Sequence, residues 1–120
     1  MGYQSFKDLR VWQEAKDLAI QIYGITSKGK FIKDYGFRDQ LQRSAVSIAS
    51  NIAEGYERNS DKDFIRFLFI AKGSLSELRT HLDIAQSIGH INNETFQNIE
   101  NQCQHIGAML TKLIKSRKNH

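Results

Sequence analysis

Apolar residues recur at helical spacing in four stretches of this 120-residue chain, separated by short polar or glycine-containing joints. The third stretch is the most regular. Phe64, Leu68, Ala71, Leu75, Leu78, Leu82 and Ala85 alternate spacings of four and three, a heptad seam. Ser60 with Asp61 and Asp63 suits its start, and Gly89 suits its stop. The fourth seam is Phe96, Ile99, Cys103, Ile106, Leu110 and Leu113, opened by Asn92 or Asn93 with Glu94 behind it. In the second, Leu41, Ala45, Ile48, Ile52 and Gly55 share one face. In the first, Leu9, Trp12, Ala15, Ala19, Ile22 and Tyr23 form the stripe, with Ser5 as N-cap and Asp8 three residues on. Residues 27–30 end that helix, and 31–36 read as an irregular connection. The pattern predicts helices over about 6–26, 37–58, 60–88 and 93–117. Four seams joined by short loops predict an all-α fold: an antiparallel, up-down-up-down, left-handed four-helix bundle, one domain over 1–120.

Composition supports long helices. Proline is absent, where average usage gives about six in such a length. The hydrophobic share of 40% is too high for a disordered chain. A single cysteine, Cys103, excludes an internal disulfide and any cysteine-based zinc cluster within one chain. Charge is more informative once located. Residues 1–111 carry 13 Lys or Arg and 13 Asp or Glu, so the net +4 resides in Lys112, Lys115, Arg117 and Lys118. A basic cluster on a neutral body points to an anionic partner, nucleic acid first. The same cations also complement a helix C-terminus, so a solvated helix end is the other reading. The longest purely apolar run, 67–71, is far too short to span a membrane, and no secretory signal is visible. Met1-Gly2 is followed by Phe6 where a myristoylation motif wants Ser or Thr. The expected location is cytoplasmic.

Some residues exceed what a lone bundle needs. With about 100° per residue from Phe64, the residues Ile65, Phe69 and Ile70 fall well off the seam. They are the candidate oligomer interface. Small residues Ala49, Ala53, Gly55, Ala71 and Gly73 allow close backbone approach, and glycine inside a helix calls for a packing reason. Arg43, Ser47, Asn51, Glu54 and Arg58 collect on one flank of the second helix, with Glu54 and Arg58 in the favourable order for a helical pair. That flank reads as a solvated face, as a polar subunit contact, or as Arg43 and Arg58 presented to phosphates.

Enzymatic readings fail on inventory. No Glu-x-x-His tetrapeptide of a di-iron bundle occurs, and no glycine-rich phosphate loop or G-x-S-x-G elbow. Glu77 and His81, four apart, read as a polar pair rather than a metal site. Cys103 sits on a seam with His105 pointing elsewhere, which reads as a buried structural thiol. No catalytic residue, metal or cofactor is expected.

Several segments are distinctive together. They are Asp8-Leu9-Arg10-Val11-Trp12-Gln13, Tyr35-Gly36-Phe37, the run 40–48 (QLQRSAVSI), the run 51–55 (NIAEG), Arg58, and the pattern from Phe64 through Phe67-Leu68, Ile70-Ala71 and Gly73-Ser74-Leu75 to Glu77-Leu78 and Thr80. In this order and spacing, over roughly residues 6–115, the chain resembles the 23S rRNA intervening sequence proteins, a bacterial family also labelled "S23 ribosomal protein". The resemblance implies a four-helix bundle assembling as a homopentamer. It extends to a similar bundle, the accessory variability determinant of diversity-generating retroelements, which works with a reverse transcriptase and nucleic acid. Two departures stand out: Ile32 follows Phe31 where the family pattern usually has proline, and Ala49 follows Ile48 where it often does.

The sequence therefore reads as a non-enzymatic, homo-oligomeric bundle that binds RNA or DNA, or a nucleic-acid-handling partner. Lys112, Lys115, Arg117 and Lys118 are the first binding candidates and Arg43 and Arg58 the second. A protein-interaction scaffold without nucleic acid is the rival, and a small-molecule binder using a ring's central channel is the third reading.

Overall fold

Capping chemistry sets both ends of the third helix and the start of the fourth. In the computed structural model, which describes residues 5–120, the helices are α1 Arg10–Thr26, α2 Tyr35–Glu57, α3 Asp61–Ser87 and α4 Asn93–Lys118. The start of the unfulfilled myristoylation motif, residues 1–4, lies outside the described residues. Ser60 Oγ accepts from Asp63 N–H at 3.2 Å, and Asn92 Oδ1 from Thr95 N–H at 2.8 Å, each satisfying an orphan donor of a first turn. Gly89, at φ +83°, ends α3 in a Schellman motif: His90 N–H reaches Ala85 C=O and Gly89 N–H reaches Gln86 C=O.

The first helix is shorter than its periodicity suggests. Ser5 caps a separate 3-10 turn, Phe6–Asp8, through Lys7 N–H, and Leu9 is extended before α1 begins. That break swings Leu9 into the core, where it is buried. The connection 31–36 is also more ordered than expected. A 3-10 turn, Gly29–Lys33, inserts Phe31 completely into the core, and α2 starts at Tyr35.

Pairwise contacts show that α2 and α3, and α3 and α4, run antiparallel. Between α2 and α3, Gly55 lies against Phe67 beside the joint, and Ser47 meets Ser74 farther along. Between α3 and α4, the contacts are Gln86–Asn93, Arg79–Glu100, Lys72–Thr111 and Asp61–Arg117 in order. α1 closes the arrangement by packing on both α2 and α4. The described residues contain no strand, and one continuous core runs along a body 46 × 22 × 20 Å.

The seams of α2 and α3 are buried as read: Leu41, Ala45, Ile48, Ile52 and Gly55, and Phe64 through Ala85. Phe67 joins the α3 seam. In α1 the buried set is Val11, Ala15, Leu18, Ile22 and Thr26, whereas Trp12 and Ala19 are half-buried and Tyr23 is exposed. The stripe is rotated from the one expected. Buried Thr26 is satisfied, donating to Ile22 C=O at 2.7 Å and accepting from Gln42 Nε2 at 2.9 Å. In α4, Ile114 takes the buried place expected for Leu113.

Candidate nucleic-acid interface

The end of the bundle where α2 passes to α3 also holds the start of α1 and the end of α4. Three of the four C-terminal cations are exposed there and one is not. Arg117 Nη1 donates to Asp61 Oδ1 at 3.1 Å, and its guanidinium lies 5.0 Å from the Phe64 ring centroid. His120 Nδ1 is 3.0 Å from the other Asp61 oxygen. The Arg117 guanidinium, with His120 second, holds the Asp61 carboxyl below its ordinary range. Arg117 is thus a clasp between the end of α4 and the start of α3.

Lys112, Lys115 and Lys118 are exposed and have no carboxylate partner among the described residues. Lys118 Nζ sits over the ring of Phe69, a residue 48% exposed, at 5.4 Å from its centroid. Lys72 approaches the same ring at 6.0 Å and donates to Thr111 Oγ1 at 3.1 Å. Residues 64–76 of α3 and 101–118 of α4 contain no Asp or Glu. The two helices therefore present a basic face at this end. Sequence reasoning missed Lys72 as part of it, although the two acid-free runs are visible in the sequence.

The second-choice arginines fall elsewhere. Arg58 is at the same end but pairs with Glu54 at 3.2 Å, its guanidinium 4.9 Å from the Phe67 ring, which Arg66 also covers at 4.6 Å. Arg43 is exposed four turns earlier on α2, about 22 Å from Arg58 along the axis. Between them, Ser47 and Asn51 are spent inside the chain. Ser47 Oγ bonds Ser74 Oγ at 2.8 Å, and Asn51 Nδ2 donates to Ser47 C=O and Oγ.

The candidate oligomer residues differ in exposure. Ile65 is half-buried against the core, while Phe69 and Ile70 are exposed about 100° apart on α3. A larger apolar surface lies on the other side of the molecule. Phe6, Trp12, Ile20, Tyr23 and Val46 rim a groove of about 560 Å³ floored by Ala19, Ala49 and Ala53. Of the α1 residues expected in the core, Trp12 and Ala19 pack at its edge and also line this groove, whereas Tyr23 is exposed beside them.

Elsewhere the polar groups serve packing. Arg79 donates twice to Glu100, at 2.6 and 3.1 Å, and holds its carboxyl below the ordinary range. Burial pushes the Cys103 thiol up to about 12, so it stays protonated. Glu77 and His81 do not pair; His81 packs edge-on against Phe37. No group of three or more His, Cys, Asp or Glu gathers to hold a metal among the described residues, and no described helix is long and apolar enough to cross a membrane.

Fold and surface charge together define an all-helical bundle with a basic face on α3 and α4. The chain belongs to the 23S rRNA-intervening sequence protein family, whose sequence model matches residues 7–112. It is similar to the crystal structure of a protein of unknown function from the S23 ribosomal protein family of Bacteroides thetaiotaomicron. The TM-score is 0.80 at 28% identity, covering 88% of this chain and 98% of that one. No curated protein matches the chain. The family match stops short of Lys115, Arg117 and Lys118, so most of the basic end lies beyond it.

Proposed function

We propose that this protein is a non-enzymatic helical bundle that binds nucleic acid through the basic pole formed by α3 and the end of α4. One observation carries the reading. Lys112, Lys115 and Lys118 are exposed at the end of α4, where residues 101–118, like residues 64–76 of the adjoining α3, contain no Asp or Glu to compensate them. Cations left uncompensated on a face without acids attract phosphates, and such binding is salt-dependent and weakly sequence-specific. The family's name places structured RNA among the first probes. The test is fluorescence anisotropy of labelled RNA and DNA at low salt, with nuclease-treated wild type and the Lys112→Gln, Lys115→Gln, Lys118→Gln variant. The expected outcome is that wild type binds and that the variant binds at least tenfold more weakly. Equal binding by both makes the lysines a solvated helix end. Absence of binding by either replaces the reading with a protein-interaction scaffold.

A second reading, self-association, is favoured by the exposed groove between α1 and α2. Burying a large apolar side chain is worth about 1.5–3 kcal/mol, and the groove leaves several such groups in water. Native mass spectrometry at micromolar concentration is expected to give a closed homo-oligomer, and Ile20→Glu, at a position 59% exposed, is expected to release the monomer. A wild-type species of 13.8 kDa alone contradicts this.

A further inference from the structure

We propose that Phe69 is a stacking platform for an unpaired base, and that Lys72 and Lys118 hold the phosphates beside it, so that the preferred ligand is single-stranded nucleic acid. The inference rests on the nucleic-acid reading above and narrows it from any polyanion to an open strand.

Phe69 has no role in the core. It is 48% exposed, and it is absent from the apolar cluster that runs through the bundle and from the partly buried side chains packed on it. Its neighbours are cations. Lys118 Nζ and Lys72 Nζ lie 5.4 and 6.0 Å from the ring centroid, one from each of the two helices that meet here. Thr111 fixes Lys72 by a 3.1 Å hydrogen bond. Helical spacing places Lys62 one seven-residue step before Phe69, and Lys115 between Thr111 and Lys118 on the facing stripe of α4. The nearby carboxylates are engaged: Asp61 with Arg117 and His120, and Asp63 with Arg66. Both ammoniums lie over the exposed ring in the free protein; a single strand would draw them from the ring onto its phosphates and leave the ring face to a base, since every base has a face to stack and every nucleotide a phosphate to neutralise. Bases of a duplex are already stacked on each other, so a ring on a protein surface reaches them only where pairing is open.

The experiment compares wild type, Phe69→Leu, and Lys72→Gln with Lys118→Gln, against fluorescein-labelled dT20, rU20 and a 20-base-pair duplex DNA. Phe69→Leu keeps apolar bulk but removes the π face. It is expected to weaken dT20 and rU20 binding about tenfold with an unchanged salt slope, and to leave duplex binding as it was. The double lysine variant is expected to lower the single-strand salt slope by about 0.7 for each lysine. A greater loss for rU20 than for dT20 identifies RNA as the natural strand, and the reverse identifies DNA; either supports stacking. Unchanged single-strand affinity in Phe69→Leu overturns the platform while leaving electrostatic binding in place. Failure of wild type to bind any probe overturns the underlying reading as well. Light scattering on each variant closes the remaining route: a changed mass for Phe69→Leu would make Phe69 a subunit contact and overturn the proposal.

Discussion

Gly55 and Gly73 both sit inside helices, where glycine costs about 1 kcal/mol relative to alanine, yet their surroundings are opposite. A Cβ on Gly55 would lie 2.5 Å from Phe67 Cβ, an overlap that neither helix can relieve without moving its backbone. A Cβ on Gly73 would meet nothing within 4 Å. Gly55→Ala is therefore expected to destabilise by about 1–3 kcal/mol, the ordinary cost of overpacking. Gly73→Ala is expected to stabilise by up to about 1 kcal/mol. Urea midpoints at constant slope check both, and a stabilising Gly55→Ala would show that α2 and α3 are farther apart than described. The sequence flagged both glycines for a packing reason, and only Gly55 has one, because an outer helix face looks the same in sequence whether or not a neighbour covers it. Cys103 makes a simpler case. Fully buried and with its thiol raised to about 12, it is expected to resist a thiol reagent at pH 8 until the protein unfolds. Fast labelling of the native chain would contradict its burial.

At the scale of elements, α3 and α4 are joined by Arg79 and Glu100 midway and by Asp61 and Arg117 at the end. The Arg79 guanidinium lowers the Glu100 pKa from its ordinary 4.5. A carboxylate whose folded pKa lies below its unfolded one adds stability that is complete above the unfolded value and is lost as pH falls through the folded one. Stability is thus expected to decline below about pH 4.5, and Glu100→Gln is expected to flatten that decline. Chemical unfolding from pH 6 to pH 3 decides it; parallel curves for both proteins would reject the bridge. The elements themselves were largely legible. The seams of α2 and α3 could be read directly because each repeats without interruption at alternating spacings of four and three, even though α3 also carries Ile65, Phe69 and Ile70 off its seam. α1 was not fully legible because Val11, Trp12, Ala15, Leu18, Ala19, Ile20, Ile22 and Tyr23 cover more than half its circumference, and periodicity alone does not say which edge faces inward. The break at Leu9 and the insertion of Phe31 depend on what lies across the bundle, which no local pattern contains.

The whole molecule carries the acid-free stretches of α3 and α4, with Lys112, Lys115 and Lys118, toward one end and exposes its apolar groove on the α1–α2 side. The basic tail was visible in the sequence, but its division of labour was not. Arg117 meets Asp61 across 56 residues of chain and Lys118 meets Phe69 across 49, so only the fold separates the clasp from the open lysines. Without a metal cluster among the described residues, EDTA is expected to leave the thermal midpoint unchanged, and a large fall on chelation would contradict that. The central claim, that the open lysines bind phosphates, is tested most directly by the salt dependence of duplex DNA and RNA affinity. Each neutralised phosphate on a duplex DNA contributes about −0.9 to the slope of log affinity against log salt. Replacing Lys112, Lys115 and Lys118 by Gln, with Arg117 left to clasp Asp61, is expected to flatten the slope by up to about 0.9 per lysine and to weaken all sequences alike. A variant with unchanged affinity and an unchanged slope would contradict the account.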